Sequence, residues 1–411
     1  MPKDKKLSKR FRPLYWHLFF QSLMLWYAIE KLFMQGIGFN DAQIALAGIL
    51  ISATMVLLQV PTGILADRWS RKGTLFLGNG LLAINALAGV FIHSVVPYLW
   101  FASILWGAFA SIRLGTYDAI VYDTLLEEIG DAKRFEHYFG RVQLSMSAGF
   151  VLAALFSGVI GKYFGLRATY WMSLPLIALS VLMLLRFKEP TIHKAQAKTS
   201  LIKHSAQTLK AVMQTGYIFW IVLASVLFGM ISRLLNNLSP VWYLAFALPV
   251  IYWGPAYALI HISGGIAGSI VSYMNNSRFK IFSFALFVCL TSFVLASHAS
   301  AAAVVIAQTV LLTGYAVFSI VLSRHLHGTL PSHIRAGSSS AVGTLAQLTF
   351  IPVTYLFGWL SNTYSVFRAA WVVIVVTVAA AAIFCVKIIP RNEALVVNAD
   401  NLAETETYLE K

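Results

Sequence analysis

The stretch LLQVPTGILADRWSRKGTLFLG (Leu57–Gly78) sets Asp67, Arg68, Arg71 and Lys72 between two apolar runs, with Pro61 and Gly63 just upstream. In a soluble protein this would be a surface turn between buried helices. The rest of the chain argues otherwise. Of its 411 residues, 58% are hydrophobic and 11% charged, whereas a soluble domain is typically about one quarter charged. Mean hydropathy is +0.73. A polytopic membrane protein is expected.

A helical span needs about 20 mostly apolar residues. Twelve runs qualify, at roughly 14–35, 42–66, 74–93, 97–120, 142–162, 168–187, 217–237, 246–273, 280–297, 300–323, 337–360 and 366–387. They are too long for barrel strands and do not alternate, so they read as helices. The quoted stretch is then a span, a very short turn and a span. Cys289 and Cys385 sit in apolar runs, too far apart for a metal motif, and are expected to pack. No cleavable signal peptide is expected. The first apolar run is too long for one and lacks a small-residue cleavage site.

The net charge of +15 invites a nucleic-acid reading, which the placement of the basic residues opposes. With both termini set in the cytoplasm, the inner segments hold six Lys and Arg before Leu14, then Arg68, Arg71 and Lys72, then Lys133, Arg134 and Arg141. The middle loop adds Arg186, Lys188, Lys194, Lys198, Lys203 and Lys210. Outer loops receive only Lys162, Arg167 and Arg368. This asymmetry is the positive-inside rule, so the expected location is a bacterial inner membrane with both termini inside. The expected partners are lipid, a small solute and a coupling proton, not nucleic acid.

The longest polar segment, Lys188–Gly216, divides the spans six and six. Span 1 opens YWHLFFQSLMLWYAIEKL and span 7 opens YIFWIVLASVLFGMISRL; aligning Tyr15 with Tyr217 puts Lys31 on Arg233. The corners GLRATYW (Gly165–Trp171) and VFRAAW (Val366–Trp371) also correspond. The expected organisation is a six-helix bundle over 1–187, a linker over 188–216, a second bundle over 217–390 and a tail over 391–411. Parallel repeats around a central path suggest alternating access. Leu201, Ile202, Leu209, Val212 and Met213 share a helical face, which suggests an amphipathic surface helix within the linker.

GILADRWSRKG resembles the loop signature of the major facilitator superfamily, Gly-x-x-x-Asp-Arg-x-x-Arg-Lys. Gly63, Asp67, Arg68, Arg71 and Lys72 match position for position, while Ser70 stands where the family often has glycine. The spans, the long middle loop and the half repeat extend the resemblance over essentially the whole chain. It implies an all-α fold of twelve transmembrane helices in two six-helix pseudo-repeats around a central cavity. It also implies a latch on the inner side. Gly63 would allow close helix approach, Asp67 would face the positive end of span 11 near Ala336–Ala341, and Arg71 would pair with Asp123. Together these would join the halves in the outward-facing state. Arg68 and Lys72 read as topological markers. The 8–9 loop, NNSRFK (Asn275–Lys280), echoes the signature without the acid.

Ionisable residues inside spans are functional candidates. Glu30 and Lys31 lie roughly 24 Å along span 1 from Leu14, at about 1.5 Å per residue. Arg113 and Asp118 lie in span 4 and Arg233 in span 7. In the superfamily, spans 1, 4, 7 and 10 line the cavity. Lys31 has a second reading, a side chain reaching the outer headgroups. Arg233 has one too, a rim position. Asp118 has the alternative of pairing with the 4–5 loop, and His261 reads as an interior histidine. Of the aromatics, Trp26 and Trp106 are the candidates for a stacking wall.

No phosphate-binding loop, no metal-spaced His/Cys cluster and no hydrolase motif is present. No enzyme activity and no cofactor are expected. Span 5 lacks the Gly-Pro of drug antiporters, and LQVPTG looks most like poorly characterised bacterial members related to tetracycline-type exporters. The expected function is a monomeric, proton-coupled secondary transporter of a small organic solute, anionic or zwitterionic. Efflux of cationic or amphiphilic drugs and a non-transporting receptor or scaffold are the alternatives.

Overall fold

The computed structural model of the protein describes residues 3–113, 116–130, 134–190, 216–274, 277–329 and 332–389. Helix follows helix, with no strand among the described residues. They are α1 (Lys3–Ser22, resumed as Glu30–Gly36), α2 (Asp41–Arg68), α3 (Arg71–Phe91), α4 (Ser103–Arg113 and Thr116–Ile129), α5 (Phe135–Phe164) and α6 (Leu166–Arg186). Then come α7 (Gly216–Ala245), α8 (Val250–Met274), α9 (Arg278–Ser292), α10 (Ala301–Thr329), α11 (Ser332–Thr363) and α12 (Val366–Ile383). Among the described residues, nine helices are long and apolar enough to cross a membrane. The runs expected at 14–35, 246–273 and 337–360 fall on α1, which is broken, and on α8 and α11. The expected linker helix and tail lie outside the described residues.

The outside of the bundle is apolar: Phe156, Phe282, Phe287 and Val375 are all exposed. Water would penalise such a surface, whereas hydrocarbon does not. Local signals punctuate the helices as their sequences suggest. Asn40 and Gln43 form a reciprocal capping box at the start of α2. Ser70 caps α3 by accepting from the Gly73 amide.

Corresponding helices of the two halves pack alike. α1 packs on α5 and α6, α2 on α4, and α3 on α6; α7 packs on α11 and α12, α8 on α10, and α9 on α12. Two pairs make the largest contacts between the halves, α2 with α11 and α5 with α8. Both have very close contacts at the end away from the 2–3 loop. A Cβ on Gly254 of α8 would run into the Ala154 carbonyl of α5. One on Gly358 of α11 would run into the Ala45 Cβ of α2. Small residues let these backbones touch.

One departure from expectation shapes the site. Span 1 does not run continuously: α1 stops at Ser22, a 3₁₀ turn occupies Tyr27–Ile29, and the helix resumes at Glu30. No Gly or Pro marks the break. The Ser173 hydroxyl of α6 sustains it by accepting the freed Leu25 amide at 3.0 Å. A backbone donor at membrane depth requires such a partner.

Candidate functional site

The break in α1 aims two consecutive aromatics in different directions. Trp26 is fully buried and stacks on Tyr170 of α6, with ring centroids 5.1 Å apart. Tyr27 lines a small cavity, open to solvent, where α1, α2 and α4 of the first half meet α7 and α8 of the second. Trp106, expected as a stacking residue, lies there against Tyr27 at 5.3 Å. Tyr257 of α8 meets Tyr27 edge-on at 5.5 Å across the boundary between the halves. Trp26 thus serves packing, and its neighbour takes the position expected of it.

Glu30 and Lys31 both line this cavity. Adjacent side chains on a helix diverge by about 100°, yet these two converge because Glu30 opens the resumed helix. Lys31 Nζ donates to Glu30 Oε2 at 2.9 Å and approaches Met34 Sδ at 3.8 Å. Lys31 is only 8% exposed, so it turns inward and does not reach for an outer rim. The Tyr98 hydroxyl donates to Glu30 Oε1 at 3.5 Å and pairs with the Tyr170 hydroxyl at 2.9 Å. Asn236 and Asn237 of α7 complete the polar lining. A search for charges and aromatics passes over them. Their signal is a polar pair inside the apolar run 217–237.

The other expected cavity charges lie elsewhere. The Arg113 guanidinium contacts Met146 Sδ and covers the Phe109 and Phe150 rings at 5.4 and 5.8 Å. It has no carboxylate partner among the described residues and is not on the cavity lining. Arg233 is likewise off that lining, and its guanidinium has no partner among the described residues. Asp118 is exposed and makes no ion pair among them. The side chain of His261 lies outside the described set.

At the 2–3 loop, Arg71 of α3 binds Asp123 of α4 and Asp67 of α2, the latter at 3.4 Å. All three belong to the first half. The pairing of Arg71 with Asp123 is as the sequence suggests, and with Asp67 it ties α2, α3 and α4 together. The expected contact of Asp67 with Ala336–Ala341 falls on side chains outside the described set. A Cβ on Gly63 would meet nothing within 4 Å, so no close approach occurs there among the described residues. Arg68 is exposed. Lys72 does more than mark topology: Nζ donates to the Leu185 and Phe187 carbonyls at 2.9 and 2.7 Å, capping α6. Sequence reasoning missed Glu189, which accepts from the Ser70 hydroxyl at 2.7 Å and the Lys72 amide at 3.2 Å. It also missed Arg10, held by Glu127 and Glu128 at 3.2 and 2.6 Å.

The opposite end carries a polar contact between the halves, in which the Ser361 hydroxyl of α11 donates to Asp41 Oδ2 of α2. Deep in the first half, His17 bridges Ser180 of α6 and the Tyr117 hydroxyl of α4. Tyr117 in turn donates to Gln21, which donates to Asn79 of α3. This buried network links four helices of one half, and its members are polar groups satisfied inside an apolar bundle.

Helical halves closing on a polar cavity at their boundary form the architecture of a membrane solute carrier. The sequence model of the Major Facilitator Superfamily matches residues 14–351, and the chain belongs to that family of transporters. An uncharacterised transporter of Buchnera aphidicola is 24% identical over 168 residues, 41% of this chain; the match spans about two fifths of that relative. The crystal structure of the nucleoside transporter NupG superposes with a TM-score of 0.70 at 17% identity, over 90% of this chain and 98% of that one. A bacterial homologue of the human lysosomal transporter Spinster, in an inward-facing unoccupied conformation, gives 0.72 at 12%, over 94% and 97%. A bacterial homologue of the iron transporter ferroportin, inward-facing, gives 0.68 at 16%, over 92% and 98%. These likenesses give the fold.

Proposed function

We propose that the protein is a secondary active transporter that moves a small organic solute across the bacterial inner membrane by alternating access, with Glu30 carrying the coupling proton. The observation that carries this reading is the cavity between the halves, whose charged lining is a matched Glu30–Lys31 pair. The very close contacts between the halves cluster at one end. With both termini in the cytoplasm, that end is the outer one. The halves would rock about the cavity, parting the α2–α11 and α5–α8 contacts in turn. The units over 1–187 and 217–390 act as the moving bodies, one chain suffices, and no cofactor is involved.

The pair also bears on the solute. A bare anion would meet Glu30 and a bare cation would meet Lys31, each a like charge at close range. A zwitterion finds an opposite charge at each end, with charge-assisted hydrogen bonds worth about 1.5–3 kcal/mol. An anionic solute would draw on Arg113 and Arg233, and neither is on this lining. Protonation of Glu30 frees Lys31 to hold the carboxylate of a solute, which makes proton and solute binding interdependent. Two of the structural relatives are named for different cargoes, nucleosides and iron, so the fold alone selects none. The test is uptake of a labelled solute panel into proteoliposomes under an imposed pH gradient. Gradient-dependent flux of a zwitterionic or neutral solute is expected. Binding without flux under any gradient would overturn the transporter reading.

A further inference from the structure

The cavity's hydrogen-bonding groups are lopsided. Asn236 Nδ2 donates to the Ser232 carbonyl at 2.8 Å, and Asn237 Nδ2 donates to the Arg233 carbonyl at 2.9 Å. A carbonyl only accepts. Each amide therefore gives its nitrogen to the backbone one turn back and turns its Oδ1 away. No donor reaches either Oδ1 among the described residues. The Glu30 carboxylate adds further acceptors. Against these stand the Lys31 ammonium, already engaged by Glu30 and Met34, the Trp106 indole N–H, and the Tyr27 and Tyr257 hydroxyls, which bond to each other. The two amide oxygens are left without a donor among the described residues.

Its aromatic faces narrow the class further. One wall is the Tyr27–Trp106 stack and another the edge-on ring of Tyr257. Flat aromatic faces favour a flat ring in offset contact.

We propose that the solute is a flat ring of zero net charge bearing at least two N–H or O–H donors, which meet Asn236 Oδ1 and Asn237 Oδ1 while its face lies on the Tyr27–Trp106 wall. This rests on the reading of the cavity as the solute site. A ligand that cannot donate leaves both amide oxygens desolvated and unpaired. That should weaken binding about 10- to 100-fold for each donor lost.

The experiment is binding to the purified full-length protein, followed by thermal shift and calorimetry. Each probe is paired with its N-methylated counterpart: uracil with 1,3-dimethyluracil, and xanthine with caffeine. L-tryptophan serves as a zwitterionic ring and benzoate as an anionic ring without donors. We expect uracil or xanthine to bind, its methylated counterpart to bind at least 10-fold more weakly, and the gap to close in N236L/N237L. The comparison within each pair uses the wild-type protein, so it stands even if the double variant fails to fold. Equal binding of methylated and parent rings, binding of benzoate alone, or binding of no ring at all would overturn the proposal. Flux of an aliphatic solute with no ring binding would overturn it while leaving transport intact. Ring binding without flux under any gradient would overturn transport while leaving the ligand class.

Discussion

Removing each acid that Arg71 holds separates two accounts of the 2–3 loop cluster. The Arg71, Asp123 and Asp67 side chains are 15%, 7% and 40% exposed. Stripping one partner from a buried ion pair costs about 3–5 kcal/mol. Asp67 remains 3.4 Å from Arg71 and compensates in part, so Asp123→Ala should destabilise by about 2–3 kcal/mol. Asp67 and Arg71 form an exposed pair four residues apart, worth about 0.3–0.5 kcal/mol, so Asp67→Ala should cost several-fold less. In an Arg71→Ala background Asp123→Ala should lose most of its effect, a coupling of about 2 kcal/mol. The assay is unfolding by SDS titration in mixed micelles, read by tryptophan fluorescence, on all members of the cycle. Equal costs for the two aspartates, or additivity of Asp123→Ala with Arg71→Ala, would refute the view that Arg71 and Asp123 form a buried, coupled pair.

Other contacts give equally direct outcomes. Gly358→Val should force α11 off Ala45 and open the contact between halves; spin labels at positions 46 and 355, with Cys289 and Cys385 replaced, should report longer distances, and an unchanged distribution would refute the close-packing argument. Ser361→Ala removes the hydroxyl that Asp41 accepts from, and the same labels should show a shift in population of about 5- to 100-fold toward the separated state; no shift would mean the bond does not hold that end. Ser173→Ala strands the Leu25 amide in the α1 break and should cost about 1–3 kcal/mol in the SDS assay, whereas a neutral effect would mean that water or another group takes over.

The sequence made the apolar runs legible because hydrocarbon imposes a length that few other structures need. It made Arg71 with Asp123 legible through the loop motif, and Glu30 with Lys31 through the rarity of charge inside a span. It did not reveal the break in α1. Leu23–Trp26 contain no helix breaker, and the group that satisfies the freed Leu25 amide is a serine on α6, 148 residues away. That break is why Tyr27 and not Trp26 reaches the cavity. Asn236, Asn237 and Tyr257 escaped for a different reason. Polar or aromatic residues occur in many spans for packing, and only the assembled boundary between halves shows which ones face a common space. The Asp41–Ser361 contact joins residues 320 positions apart, and no local pattern encodes it.

The central claim is that solute and proton share the Glu30–Lys31 cavity. Uphill solute movement in proteoliposomes, driven only by an imposed pH gradient and compared between wild type and Glu30→Gln, tests it most directly. Accumulation against a concentration gradient is expected in the wild type, and in Glu30→Gln only equilibration of the same solute with binding retained. Undiminished proton-driven accumulation in Glu30→Gln would contradict it.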